Sequence, residues 1–159
     1  MKIKSENFNK RGFTLIEILV VIGIVSVISS IVAVSLFNYR DRAALRVETG
    51  RVIALISETR EQSVAGRGGV VHGLHFEESK VVRFSGQTYV ADAIGNEPLE
   101  LSSLVDIGSI SLTGGASDVV FSRLSGKSDK TGTFRVRLKS DVANYKEVRI
   151  ESTGIATVQ

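Results

Sequence analysis

One carboxylate inside an apolar run is the side chain of this sequence that asks most insistently for a chemical partner. Glu17 follows Arg11-Gly12-Phe13-Thr14-Leu15-Ile16 and precedes Ile18-Leu19-Val20-Val21-Ile22-Gly23-Ile24-Val25, and it is the only charge between Phe13 and Phe37. An acid near the middle of a membrane span costs about 3 kcal/mol, so a lone one is by default functional. The remaining candidates are weaker. His72 and His75 stand three apart on an expected strand, which turns them to opposite faces and rules out a shared metal. Nothing in their spacing ties either histidine to a Ser or an Asp. Glu77-Glu78 reads as a solvated hairpin turn. Gly126-Lys127-Ser128 echoes the end of a phosphate-binding loop, but Phe121 stands where that loop needs glycine. Arg135, Arg137 and Lys139 form a wet basic row that would contact phosphate or, by preference, face acids such as Glu147 and Glu151. No catalytic, cofactor or metal site is expected.

The charge has a definite address. Lys2, Lys4, Lys10 and Arg11 against Glu6 account for the whole net charge of +3, so the chain from Phe13 onward is formally neutral. The basicity therefore speaks for orientation rather than for a nucleic-acid surface, with the N-terminus cytoplasmic and the remainder translocated. The 0 Cys exclude disulfides and thiolate metal sites. An ordinary secretory signal is shorter and ends at a small-x-small site. Here Ser29, Ser30, Ala33 and Ser35 lie inside a run that continues past them.

The elements that position Glu17 follow from periodicity. Phe13–Phe37 is long enough to cross a hydrocarbon core of about 30 Å. Gly23, Ser26, Ser29, Ser30 and Ser35 are small residues at which helices approach closely. The helix signal then continues from Asn38 to about Ala65, with Leu45, Val52, Leu55 and Ile56 at helical spacing and a weaker stripe through Thr59 and Ser63. Arg42, Arg46, Arg60, Glu48, Glu58 and Glu61 are expected off that stripe. One helix of roughly 80 Å is predicted, ended by Gly66-Arg67-Gly68-Gly69. Strands are expected at 70–76, 81–84, 107–112, 119–122, 133–139, 147–151 and 155–158, with a further short one at 89–91. An irregular connection around Pro98 and a flexible loop at 126–132 complete the reading. The fold class is α+β: a long N-terminal helix, membrane-spanning in its first half and amphipathic in its second, packed on a small antiparallel β-sheet head. The expected divisions are a leader at 1–12, a transmembrane or filament-core helix at 13–37, its amphipathic continuation at 38–66, and a β-rich head at 67–159.

Lys10-Arg11-Gly12-Phe13-Thr14-Leu15-Ile16-Glu17 resembles the class III signal of type IV pilins and type II secretion pseudopilins: basic leader, glycine, phenylalanine, an acid five positions on, and a long apolar helix. The resemblance implies cleavage between Gly12 and Phe13 by prepilin peptidase, N-methylation of Phe13, and assembly through the N-terminal helix. It also implies anchoring in the lipid bilayer of the inner membrane, with the head outside the cytoplasm, and engagement by the inner-membrane assembly machinery. The freed amine of one subunit would then meet Glu17 of a neighbour, each offsetting the other's desolvation. Arg51–Ala65, Val119-Val120-Phe121-Ser122 with Gly126 and Gly132-Thr133, and the closing Val148–Gly154 further resemble minor pilins of the GspH/FimT type. Some of those bind DNA through Gly-Arg-x-Arg near the C-terminus. Here that place reads Gly154-Ile155-Ala156-Thr157, so a nucleic-acid partner is disfavoured, although Arg135–Lys139, Lys127 and Lys130 keep a DNA-receptor role open as an alternative. A membrane-tethered periplasmic protein outside any filament is the other alternative.

Overall fold

The computed structural model describes residues 13–159, so Gly12 and the expected leader lie outside the described residues, as do the side chains of Ala33 and Ser35. The chain divides between Tyr39 and Arg40 into two compact units. Helix α1 is Leu15–Val64, 50 residues without a break. Its window Leu15–Val32 has a mean hydropathy of 2.7 and is wholly unburied, enough to span a bilayer by length and composition. Ser26 and Ser30 donate their hydroxyls to the carbonyls of Ile22 (2.8 Å) and Ser26 (2.9 Å), so neither demands an outside partner in an apolar setting.

In the second unit the helix buries a stripe of Leu45, Val52, Ile56, Thr59 and Ser63. Leu55, expected on that stripe, is only half-buried. Glu48, expected off it, is buried, and Arg51 closes on its carboxylate at 2.8 Å. The helix stops at a left-handed Gly66 (φ 63), whose N–H returns to the Ser63 carbonyl at 3.1 Å.

The expected sheet is present as two antiparallel sheets of four strands. The first comprises β1 (His72–Phe76), β2 (Lys80–Ser85), β3 (Glu97–Glu100) and β5 (Asp118–Phe121) in the order β3-β2-β1-β5. The second comprises β4 (Val105–Leu112), β6 (Gly132–Leu138), β7 (Tyr145–Ile150) and β8 (Ala156–Val158) in the order β4-β6-β7-β8. Alternate residues of both sheets and the helix stripe share one core: Val52 and Ile56 from α1, Leu74, Phe76, Val119 and Phe121 from the first sheet, Phe134, Val136, Val148 and Ile150 from the second. Phe76 and Phe134 join the sheets with ring centroids 4.8 Å apart.

Three expectations are corrected. The connection around Pro98 is strand β3, with Pro98 opposite Val82; a residue without an N–H is tolerated there because β3 is an edge. Residues 89–91 are no strand. Tyr89 instead stacks on His75 at 3.9 Å and leans on Phe84 at 5.6 Å, covering the outer side of the first sheet where Val82 and Phe84 are buried. The 126–132 loop is tied down rather than free. Asp129 exchanges bonds with Val120 (N–H to its carbonyl at 3.0 Å, carboxylate to its N–H at 2.7 Å), and the Lys130 ammonium reaches the Asp118 carbonyl at 3.2 Å.

Candidate functional site

Of the residues singled out for cleavage and assembly, Phe13 and Glu17 lie at the start of α1, and Gly12 is outside the described residues. Phe13 is the first described residue and is 80% exposed. Thr14 precedes the helix, and its Oγ1 accepts the backbone N–H of Glu17 at 3.3 Å while its carbonyl accepts from Ile18 at 3.3 Å. Thr14 is thus the N-cap and Glu17 the third helical residue, the Thr-x-x-Glu spacing that opens helices. Thr14 is a capping residue that the sequence reading missed, although the Thr-x-x-Glu spacing signals it.

The cap separates two properties of Glu17. Its N–H holds the helix start; its carboxylate is exposed and takes no part in the cap. Proximity to the positive end of the helix dipole gives that carboxylate about 0.3–1 kcal/mol. A charge in the apolar phase costs about 3 kcal/mol. At the middle of a span the dipole would not cover that cost. Among the described residues none stands within salt-bridge distance of Glu17.

The weaker candidates resolve into structural roles. His72 and His75 share β1 on opposite faces, but both do have Ser or Asp partners, contrary to the reading from spacing. His75 Nδ1 lies 2.5 Å from Asp118 Oδ1, and Nε2 lies 3.9 Å from Glu77. His72 Nε2 donates to the Arg67 carbonyl (3.1 Å), which leaves Nδ1 to accept from the Ser85 hydroxyl (3.2 Å). These pairs join segments up to 43 residues apart, which local spacing does not reveal. Glu77 closes on Lys80 at 3.5 Å across the hairpin turn.

The basic row is largely neutralised. Arg135 donates to Glu147 at 2.9 Å, and Arg137 donates to Asp106 on β4 at 2.6 Å rather than to Glu151. These hydrogen bonds hold both guanidinium pKa values above their ordinary level. Gly108 makes the second pair feasible, since a Cβ there would sit 2.6 Å from the Arg137 guanidinium carbon. Lys130 lies 3.4 Å from Asp129. Arg83 sits between Glu58 on α1, 2.7 Å away, and Glu97 on β3. Partial burial lowers the Arg83 pKa, but the hydrogen bonds and charges of the two carboxylates outweigh it and the net shift is upward.

Comparisons with known proteins bear on the N-terminus and on the fold. The family model described as Prokaryotic N-terminal methylation motif matches residues 7–33. Two crystal forms of the type IV minor pilin FimU of Pseudomonas aeruginosa PAO1 superpose with TM-scores of 0.55 and 0.52 at 10% identity. They cover 76% and 72% of this chain and 92% of theirs. The chain has the type IV pilin fold and a prepilin-type N-terminus. No curated protein matches the sequence. The pilin fold accounts for the α+β class read from periodicity, and the methylation motif spans Gly12, Phe13 and Glu17 alike.

Proposed function

We propose that this chain is a minor pilin or pseudopilin, a non-enzymatic subunit that acts by assembly. The observation that supports this reading is the junction of a methylation motif with a capped apolar helix and a pilin-fold head. In this reading prepilin peptidase hydrolyses the Gly12–Phe13 peptide bond on the cytoplasmic side, and the new Phe13 amine is N-methylated. The helix anchors the subunit in the inner membrane, with the head outside the cytoplasm, until the assembly machinery draws it into a pilus or pseudopilus. There the Phe13 amine of one subunit supplies the cation that Glu17 of its neighbour needs, a pair in which loss of either partner strands the other. The leader (1–12), filament-core helix (13–37), amphipathic continuation (38–66) and head (67–159) are the corresponding working parts. Within the pilins, the GspH/FimT type is the subclass proposed.

Two substitutions test the reading. Gly12→Glu leaves the leader attached, so a blot shows only the longer precursor; mature-sized protein refutes the cleavage site. Glu17→Val keeps the Thr14 cap, because that bond uses the backbone N–H, and membrane insertion persists while recovery in sheared filaments is lost. Wild-type recovery of Glu17→Val in filaments removes the pairing argument. The ion pairs of Arg135 and Arg137 favour this structural role over a DNA receptor, since both guanidinium groups already face carboxylates.

A further inference from the structure

Three arginines stand where the orientation of the chain gives no reason for them. Arg40, Arg42 and Arg46 follow the apolar run within ten residues of Leu36. On the translocated side of a span, basic residues oppose the bias set by the cytoplasmic flank. All three are exposed, and among the described residues none makes an ion pair. Tyr39, just ahead of them, is 72% exposed and of the residue type that gathers at a membrane–water boundary.

A second segment lies beside them. The Ser140 hydroxyl donates to the Asp41 carboxylate at 3.2 Å, which sets the loop between β6 and β7 against the point where the chain enters the second unit. The loop is closed on itself. Ala143 N–H donates to the Asp141 carboxylate (3.1 Å), Asn144 N–H to the Asp141 carbonyl (2.9 Å), and Leu138 N–H to the Asn144 carbonyl (3.0 Å). It presents Val142, 60% exposed, beside Lys139, which is exposed and makes no ion pair among the described residues.

The charge of this end is positive. Over 38–46 and 139–146, Arg40, Arg42, Arg46, Lys139 and Lys146 stand against Asp41 and Asp141, and both acids already accept hydrogen bonds. Asp106 is bonded to Arg137, and the charge of Glu78 acts on that same guanidinium. An outward valine among unneutralised cations has the character of a lipid–water interface, where the apolar tip sinks toward the acyl chains and the cations face phosphates. A lipid surface is also the anionic surface that the chain itself holds close, since Leu36 and Arg40 are one turn apart in α1.

We propose that the head has a membrane-resting face, on which Val142 dips into the outer leaflet while Arg40, Arg42 and Lys139 bind the phosphates of anionic lipid headgroups. The inference rests on the reading of α1 as a membrane anchor with the head outside the cytoplasm, and it gives the subunit a docked state before assembly. The other end of the head, where Leu124 N–H meets the Ser63 carbonyl, is about 35 Å along the helix from Arg40 and serves as the internal control.

The absence of native cysteine makes the test direct. Full-length Val142→Cys, labelled with a fluorophore, is reconstituted in vesicles of phosphatidylethanolamine and phosphatidylglycerol in which some lipid carries a headgroup nitroxide. The label at position 142 should be quenched, and the same label on Leu124→Cys should not. Quenching should fall when phosphatidylcholine replaces phosphatidylglycerol and when salt is raised. Arg40→Gln, Arg42→Gln and Lys139→Gln should each lower the ratio of docked to undocked heads about fivefold, while flotation with the vesicles is unchanged. Equal quenching at positions 142 and 124 overturns the resting face. Quenching at 142 that ignores both phosphatidylglycerol and the three substitutions overturns the headgroup contact. Either result leaves the assembly reading intact, because no assembly machinery is present. Protein that fails to float with the vesicles removes the anchor, and both readings fall together.

Discussion

Two stretches of the same helix use apolar residues for opposite ends. From Leu15 to Val32 apolar side chains point in every direction and none is buried within the chain, Ile18 at 48% being among the least exposed of them. From Leu45 to Ser63 the buried ones keep to one stripe, with Val52 and Ile56 0% and 1% exposed, while Val47 lies off it at 58%. The backbone is α-helical throughout, so the difference lies in what surrounds each stretch. Apolarity without a period calls for an apolar surround supplied from outside, by lipid or other helices. Apolarity with a helical period calls for a core on one side and water on the other. Even the polar members follow the rule: Thr59 and Ser63 lie on the buried stripe, bonded at once to the Leu55 carbonyl and to the His72 N–H.

The sharpest way to break the comparison is to put the same charge into each stretch. Val52→Asp buries an unpaired carboxylate among Ile56 and the two sheets, a change of the class that costs more than about 4 kcal/mol. The head should be recovered unfolded or degraded, as read by limited proteolysis. Val25→Asp should leave the protease-resistant head unchanged and instead oppose insertion by about 3 kcal/mol, read as a lower membrane-bound fraction. Equal damage to the head from both variants would erase the distinction.

What was legible in the sequence follows the same line. Phe134, Val136 and Leu138 alternate with Arg135 and Arg137, and they form the centre of β6 with the apolar members inward because one strand contains the whole signal. The apolar run, its acid and its glycine are likewise contiguous. The misreadings concern residues whose roles are set by distant partners. Glu48 is the local exception: it is buried and paired with Arg51 one turn on, which a charge off the apolar spacing does not announce. Arg137 turns to Asp106 because Gly108 opens the way, and that pairing depends on the register of β4 against β6. Tyr89 lies in a turn yet acts as cover for the first sheet, since His75 and Phe84 offer it ring faces and edges that only the folded hairpin brings together.

A smaller effect sharpens the boundary of the packed stretch. Arg60 is on the head side of α1, and its Nε is shared between the Gly126 and Thr153 carbonyls. Arg60→Met keeps much of the aliphatic stem and removes the charged donor, so about 1.5–3 kcal/mol should be lost. Chemical denaturation should show a lower midpoint with an unchanged slope. Arg42→Met, exposed on the same helix and without an ion pair among the described residues, should leave the midpoint where it was.

The least of the expected effects concerns the two interior glycines, one in each stretch. Gly23 and Gly50 both have helical neighbours on either side, and a Cβ built at either meets nothing within 4 Å. Glycine inside a helix is disfavoured against alanine by about 1 kcal/mol, and neither residue has a packing reason within the chain. Gly50→Ala should therefore stabilise the head by about 0.4–1 kcal/mol, seen as a Tm higher by a few degrees. Gly23→Ala should leave the head's Tm unaltered, because its helix segment buries nothing there. If alanine at Gly23 reduces recovery in sheared filaments while the precursor is cleaved normally, the space beside it is needed by a neighbouring helix, as small residues at close helix crossings require. The same assay on Gly50→Ala then asks whether the second stretch, besides serving its own head, also keeps a face for another chain.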